Sequence, residues 1–330
     1  MFRKLLVPLD RSPLAEQAVG PAAAIARASH AAIDLVLVHQ PLPFAGFNDE
    51  PWNAEQWSDE EKYLEWIAGE LITGASVAVT YAVVRGEAVD SICKQAWDVD
   101  ADLIVMTSHG RTGLSRAWLG SVADGVLRHS SVPVLMLRPV ENKADRLAAH
   151  HLFKHVLVPL DGSALAGDIL PSAVALARCS GAHVTLLRVV QPVPLMTVDV
   201  DMAFAYPPFV QDDQATAQLV EDAEQQLDEV SRRVADDAGV PVEAHVVVAP
   251  RVAQAIIDFA AGHQVDAITM TTHGRGASRF FLGSVADKIL RGSGLPLLLH
   301  RPIGVSGVVE APKSSSATAK PAPDPVSSER

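Results

Sequence analysis

Leu119-Gly120-Ser121-Val122-Ala123-Asp124 occurs twice in this chain, returning unchanged as Leu282-Gly283-Ser284-Val285-Ala286-Asp287. Outward from this hexapeptide, His109-Gly110-Arg111 returns as His273-Gly274-Arg275, and Leu6-Val7-Pro8-Leu9-Asp10 returns as Leu157-Val158-Pro159-Leu160-Asp161. Each copy closes on an Arg-Pro pair, Arg138-Pro139 and Arg301-Pro302. The order of segments is kept, with net insertion in the second copy. A repeat of this length is a duplicated domain rather than a solenoid unit, and 330 residues suit two domains of about 100–200 residues. The expected division is a first domain over 1–140, a polar linker over 141–152, a second domain over 153–303 and a tail over 304–330. The tail is small, polar and Pro-rich. It has too little apolar surface to offset its ordering entropy and is expected to be disordered.

Within one copy the pattern alternates. Short apolar runs read as buried strands at 4–9, 33–38, 77–84, 103–106 and 134–137, and again at 183–190, 242–248, 267–270 and 297–300. Between them lie helical stretches. Ser12 and Ser163 offer side-chain oxygens to cap the first helix of each copy, and Pro21 and Pro171 predict a kink or break inside it. The second strands both end in Gln-Pro. The segments 41–57 and 192–210, rich in Pro and aromatics, read as long loops, each leading into a polar helix at about 58–73 or 211–238. Further helices are expected at about 88–97 and 252–261, and from Ser121 and Ser284 onward. Strands alternating with helices imply βαβ units and a doubly wound, Rossmann-like α/β fold with a parallel sheet in each copy. Ligands of such sheets bind beyond the carboxyl ends of the strands. Asp10 and the turn at His109-Gly110 both lie just past strand ends, so they fall on one rim.

Hydrophobic residues make up 48% of the chain, enough for two cores, and the net charge of −12 argues against a nucleic-acid partner. Neither Cys93 nor Cys179 has a metal-ligand spacing, so both are expected to be small buried hydrophobes in a reducing compartment. No apolar run is long enough for a membrane helix or a signal peptide, and a cytoplasmic protein is expected.

The segment from Thr107-Ser108-His109-Gly110 to Gly120-Ser121 carries the chemistry. Glycines let main-chain N–H groups approach a ligand, and a helix opening at Gly120-Ser121 presents free N–H donors and a positive dipole end. That pairing suits an anion, phosphate above all. Ser121 adds a hydroxyl, and Arg111 is either a phosphate partner or a solvated charge. The plainer reading is a tight turn and a capped helix with no ligand. Asp10 and Asp161 either accept hydrogen bonds from the turn that follows or accept from a hydroxyl or an amine of a ligand. His109 and His273 have no nucleophile or carboxylate placed beside them by sequence, so a turn-stabilising hydrogen bond is expected. No His, Cys and Asp cluster has metal-ligand spacing. Trp52, Trp57 and Trp66, in acidic surroundings, read as packing rather than as a stacking platform.

The pattern Gly-x2-Gly-x9-Gly-Ser after the fourth strand resembles the universal stress protein family. So do a first strand ending Val-Pro-Leu-Asp before a Ser and the closing run Val132-Pro133-Val134-Leu135-Met136-Leu137-Arg138. The resemblance covers both copies nearly end to end. It implies an adenine nucleotide, ATP with or without Mg2+, as ligand. The positions it implies for adenosine are Pro8, Asp10 and Val38, and those for the loop are Met106, Thr107, Gly110, Gly120, Ser121 and Val122. In the second copy they are Pro159, Asp161 and Val189, with Met270, Thr271, Gly274, Gly283, Ser284 and Val285. Two departures stand out: Thr107 and Thr271 occupy the first motif glycine, and only eight residues separate Gly274 from Gly283. The first copy is therefore expected to be the better site. The resemblance also implies that the last strands pair, 134–137 with 297–300, as an internal pseudo-dimer, a pairing that leaves two-chain association open. The function expected is a regulatory, adenine-nucleotide-binding stress response protein with at most slow hydrolysis. The alternative is a scaffold of the same fold that binds a protein partner and no nucleotide. A hydrolase lacks a catalytic set here, since phosphoryl transfer needs positioned metal and charge.

Overall fold

Each first strand is apolar on both faces, which is the composition of a parallel strand covered by helices on both sides. A computed structural model describes residues 1–40, 50–75, 77–109, 119–139, 152–194, 211–272, 282–301 and 320–321. The first copy contributes β1 (Lys4–Leu9), β2 (Ala32–His39), β3 (Val79–Arg85), β4 (Leu103–Thr107) and β5 (Val134–Leu137). Its helices are α1 (Val19–Ser29), α2 (Glu50–Ala75), α3 (Ala88–Asp98) and α4 (Ser121–His129). The second copy contributes β6 (His155–Pro159), β7 (His183–Val190), β8 (Val242–Val248), β9 (Ala267–Thr271) and β10 (Leu297–His300). Its helices are α5 (Ala164–Gly167), α6 (Leu170–Ser180), α7 (Asp213–Ala238), α8 (Val252–Gly262) and α9 (Ser284–Gly292).

The strands form one sheet in the order β3-β2-β1-β4-β5-β10-β9-β6-β7-β8. Every pairing within a copy is parallel, and β5 meets β10 antiparallel with Leu135 opposite Leu298. The two last strands thus join the halves as the sequence reading expects, and each closes an edge that the other half would leave open. Alternate side chains of β1 serve opposite cores: Leu5, Val7 and Leu9 pack under α1 and α2, and Leu6 packs toward α3 and α4. Both cores continue through the seam into the second copy. The repeated Arg-Pro pairs act here as well. Arg138 donates to the Leu290 carbonyl near the end of α9, and Arg301 donates to the Arg128 carbonyl near the end of α4. Each copy thereby caps carbonyls that the other's helix leaves without intrahelical partners.

The expected breaks occur. A 3-10 turn at Ala15–Ala18 precedes α1, which holds Pro21 in its first turn, and α5 is a single turn before α6, which holds Pro171 near its start. Proline fits there because the first-turn N–H groups need no helical partner. The same fact corrects the reading of 41–57 as loop. Residues 50–57 belong to α2, with Pro51 at its second position. Asp212 caps α7 by accepting from the Ala215 N–H at 2.9 Å, and Gly239 ends it in the left-handed conformation. In the stretch expected to be a disordered tail, Lys320–Pro321 pair antiparallel with the outer edge of β3, Lys320 opposite Tyr81. An edge strand is where a proline is tolerated.

The lower rim of the second copy gives a first prediction. His155 is buried, its Nδ1 lies 2.9 Å from the His263 carbonyl and its Nε2 lies 2.8 Å from Thr185 Oγ1. Its ring stacks on His183 at 4.0 Å. Burial first, and then the neighbouring His183, lower its pKa, against a partial opposing pull from the His263 carbonyl, Asp266 and Glu243. The unfolded chain therefore binds more protons than the native state below about pH 6.5. Stability attributable to this site is present above that pH and lost as pH falls through it. Thermal midpoints are expected to drop by a few degrees between pH 7.5 and 5.5, and a His155→Gln variant should show a flatter dependence. An unchanged slope in the variant would place the sensitivity elsewhere.

Candidate nucleotide site

In each half the strand order reverses between the first and fourth strands, β1 beside β4 and β6 beside β9. A crevice opens at the carboxyl ends of such a pair. The turn after β1 is built from its own side chains. Asp10 Oδ1 accepts from the Ser12 N–H at 2.9 Å, and Ser12 Oγ accepts from the Ala15 N–H at 3.1 Å. The second copy repeats both bonds, Ser163 N–H to Asp161 Oδ1 at 2.9 Å and Ala166 N–H to Ser163 Oγ at 3.1 Å. The residue between adopts a left-handed φ in each, +65° at Arg11 and +78° at Gly162. The local role of the two aspartates is thus present, and it fixes each carboxylate at the rim.

At the end of β4, Thr107 Oγ1 donates to the His109 carbonyl at 2.8 Å, and Ser108 Oγ lies 3.0 Å from His109 Nδ1. The His109 ring is buried, as a turn-holding histidine should be, and its Nε2 has no hydrogen-bond partner among the described residues. Thr107 has no positive φ, so its backbone does not require the glycine that the family pattern carries there. Gly120 N–H donates to the Ser108 carbonyl at 2.9 Å, and a Cβ on Gly120 would stand 3.1 Å from that oxygen. This close approach sets the start of α4 against the end of β4. Neither α4 nor α9 has a side-chain cap. Their first-turn N–H groups therefore point at whatever occupies the crevice.

The crevice is a cavity in both halves. In the first, of about 260 Å³, the walls include Pro8, Asp10, Val38, Met106, Thr107, Gly120, Ser121 and Val122. In the second, of about 560 Å³, they include Pro159, Asp161, Val189, Met270, Thr271, Gly283, Ser284 and Val285. All of the sequence-derived positions except Gly110 and Gly274 are thus brought together. Those two, with Arg111 and His273, lie outside the described residues. The second cavity is the larger of the two, and Leu219, Asp222, Ala223 and Gln226 of α7 are among its described walls.

A family model for the universal stress protein family matches residues 1–138 and again 152–301. The chain belongs to this family. A universal stress protein of Methanocaldococcus jannaschii is 30% identical over 145 residues, 42% of this chain and 83% of that protein. A putative universal stress protein of Staphylococcus aureus is 28% identical over 153 residues, 44% of this chain and 89% of that protein. Among solved structures, a universal stress protein from Archaeoglobus fulgidus aligns over 91% of this chain and 98% of its own, with a TM-score of 0.66 at 21% identity. That likeness shows the fold alone, and it spans both universal stress protein domains together.

Sequence reasoning missed part of the cavity walls. Gln40 and Gln191 line the two cavities, and the Gln-Pro that ends both second strands was the available signal. Ala88 and Ile92 of α3 were invisible because only packing brings them under the rim. Trp57 packs as expected, its ring 5.6 Å from that of His39 with the Arg85 guanidinium 5.1 Å above it. Trp66 is 52% exposed, which corrects its assignment to packing. Cys179 is buried, whereas Cys93 is only half-buried, with burial and Asp90 pushing its thiol up to about 12. Among the described residues no group of three His, Cys, Asp or Glu side chains could hold a metal, and no helix is long and apolar enough to cross a membrane.

Proposed function

We propose that this universal stress protein binds an adenine nucleotide, ATP foremost, in each domain and acts in the cytoplasm as a regulatory protein with at most slow hydrolysis. The observation that carries the reading is the uncapped start of α4 and α9 opening into a cavity whose opposite wall is the Asp10 or Asp161 turn. An apolar floor of Pro8, Val38 and Met106 suits a purine. The aspartate carboxylate accepts from ribose hydroxyls, and phosphates meet the helix N–H groups and the Ser121 or Ser284 hydroxyl. Mg2+ would screen phosphate charge. It would ride on the nucleotide, since Asp10 is the one carboxylate that the described walls bring to the first cavity. With no base placed to activate water, the described residues favour holding the nucleotide over turning it over.

The test is calorimetric titration with ATP and Mg2+ of the wild type beside Ser121→Asp and Ser284→Asp. A carboxylate at the first helical position is favourable to the helix by about 0.3–1 kcal/mol, so folding is retained while a phosphate is repelled. Two sites are expected in the wild type and one in each variant, with affinity at the altered site reduced by about 100-fold or more. Wild-type-like titrations in both variants would overturn the placement of the phosphates. No saturable heat with any adenine nucleotide would leave the protein-binding scaffold as the reading.

A further inference from the structure

The two halves share a sequence pattern but not a cavity shape, and three substitutions between copies account for the difference. The β1–β2 and β6–β7 registers align Pro8 and Val36 with Pro159 and Leu187, which sets Leu37 against Arg188. The turn sets Arg11 against Gly162 and Glu16 against Gly167. In the first copy Leu37 is fully buried in the core beneath α2, and Glu16 accepts a hydrogen bond from the Tyr63 hydroxyl of α2 at 3.2 Å. Beside them His39 Nδ1 lies 2.8 Å from Glu60 Oε2, with both side chains buried. These contacts hold α2 on the strand tips, and among the described residues none of α2 lines the first cavity.

In the second copy the described residues leave that side open. A Cβ at Gly167 would meet nothing within 4 Å. The 560 Å³ cavity passes over the tips of β6 and β7 to reach Asp222, Ala223 and Gln226 of α7. A second cavity of about 500 Å³ continues beyond it between α5 and α7, and Arg188 stands on the wall common to both. Its guanidinium lies against the Asp161 turn, within hydrogen-bonding reach of the Leu160 carbonyl at 3.4 Å, in the space that Gly162 leaves by lacking a side chain. A Cβ at Gly162 would stand 2.4 Å from Arg188 Nη1. A planar guanidinium with five N–H donors can hold a main-chain acceptor and a ligand anion together.

We infer that the second domain selects an adenine nucleotide carrying an additional phosphate on a ribose hydroxyl, with Arg188 as its specificity-determining residue, whereas the first domain takes the unsubstituted nucleotide. The inference rests on the proposed nucleotide reading. With the 5′-phosphates at the start of α9 and the ribose hydroxyls at Asp161, a 2′- or 3′-substituent faces the side of the turn where Arg188 lies. Arginine is the side chain suited to bidentate contact with phosphate. In the first copy the equivalent space is filled by the apolar Leu37, and the contact between His39 and Glu60 of α2 closes the way.

The experiment titrates the full chain with AMP, adenosine 2′,5′-bisphosphate and adenosine 3′,5′-bisphosphate, using wild type, Ser121→Asp, Ser284→Asp, Arg188→Leu and Arg188→Lys. Circular dichroism and thermal melts establish folding of each. One of the two bisphosphates is expected to bind at least tenfold tighter than AMP, and which one it is identifies the ribose position. The preference should survive Ser121→Asp, vanish with Ser284→Asp, vanish in a folded Arg188→Leu and persist in part in Arg188→Lys. A preference unchanged in Arg188→Leu, or one that follows the first domain, overturns the inference. ATP binding at both domains with no advantage for either bisphosphate overturns the inference and leaves the nucleotide reading standing. No binding of any of these nucleotides overturns both.

Discussion

Leu135→Asp is expected to destabilise the whole chain, not one half of it. Leu135 is fully buried and lies opposite Leu298, also fully buried, at the only antiparallel contact between the two domains among the described strands. A carboxylate placed there has no described donor to meet it. It either remains charged in an apolar core or takes up a proton and still loses the packing of the leucine. A change of this kind costs about 4 kcal/mol or more, a large share of the roughly 5–15 kcal/mol that holds a domain folded. The thermal midpoint should fall by about 10 °C. Because both cores run through the seam, amides of both halves should lose hydrogen-exchange protection together. Loss confined to residues 1–139 would show instead that the domains fold independently and that the seam is a contact of convenience.

Gly162→Arg carries the second large effect, and its companion variant separates two causes. The position has φ +78°, and its counterpart Arg11 holds a side chain at φ +65°. The left-handed backbone alone is therefore tolerable, at about 1 kcal/mol. What Arg11 does not face is a guanidinium. In the second copy the new Cβ would meet Arg188 Nη1 at 2.4 Å and Nη2 at 2.9 Å, and like charges would be forced together. Adding overpacking gives about 3 kcal/mol in total. The double variant Gly162→Arg with Arg188→Leu restores the pair found in the first copy, Arg11 with Leu37, and should lose only about 1 kcal/mol. Denaturant titrations of the two single variants and the double variant measure the coupling. Additive losses would mean that the guanidinium does not stand where the turn leaves room for it.

Much of this molecule is legible in its sequence. The repeated Leu-Gly-Ser-Val-Ala-Asp gave the duplication, the alternation of apolar and helical stretches gave the parallel sheet, and the Gly120-Ser121 step marked the helix start. Local signals served these features, because strand burial on both faces, helix capping and proline placement are all written in neighbouring residues. The misreading at residues 50–57 had a local cause too. Pro51 looked like a loop residue, but in a helix's first turn it breaks no hydrogen bond.

The sequence by itself determined the family, the two-domain division into βαβ halves and the rim on which Asp10, Thr107 and Gly120 lie. Only the tertiary structure decided how the cavities of the two halves differ. That Leu37 is core while Arg188 faces a cavity depends on whether α2 or α7 closes over the strand tips. Their closing depends on Tyr63 meeting Glu16 and on His39 meeting Glu60, contacts 47 and 21 residues apart in the chain. Likewise, the Arg-Pro pairs were visible as a repeat, but the carbonyls they cap belong to the opposite domain, 152 and 173 residues away. Periodicity and capping act over a few residues and can be read along the chain. The shape of a cavity is set by side chains from distant segments that share space only after the sheet has brought them together.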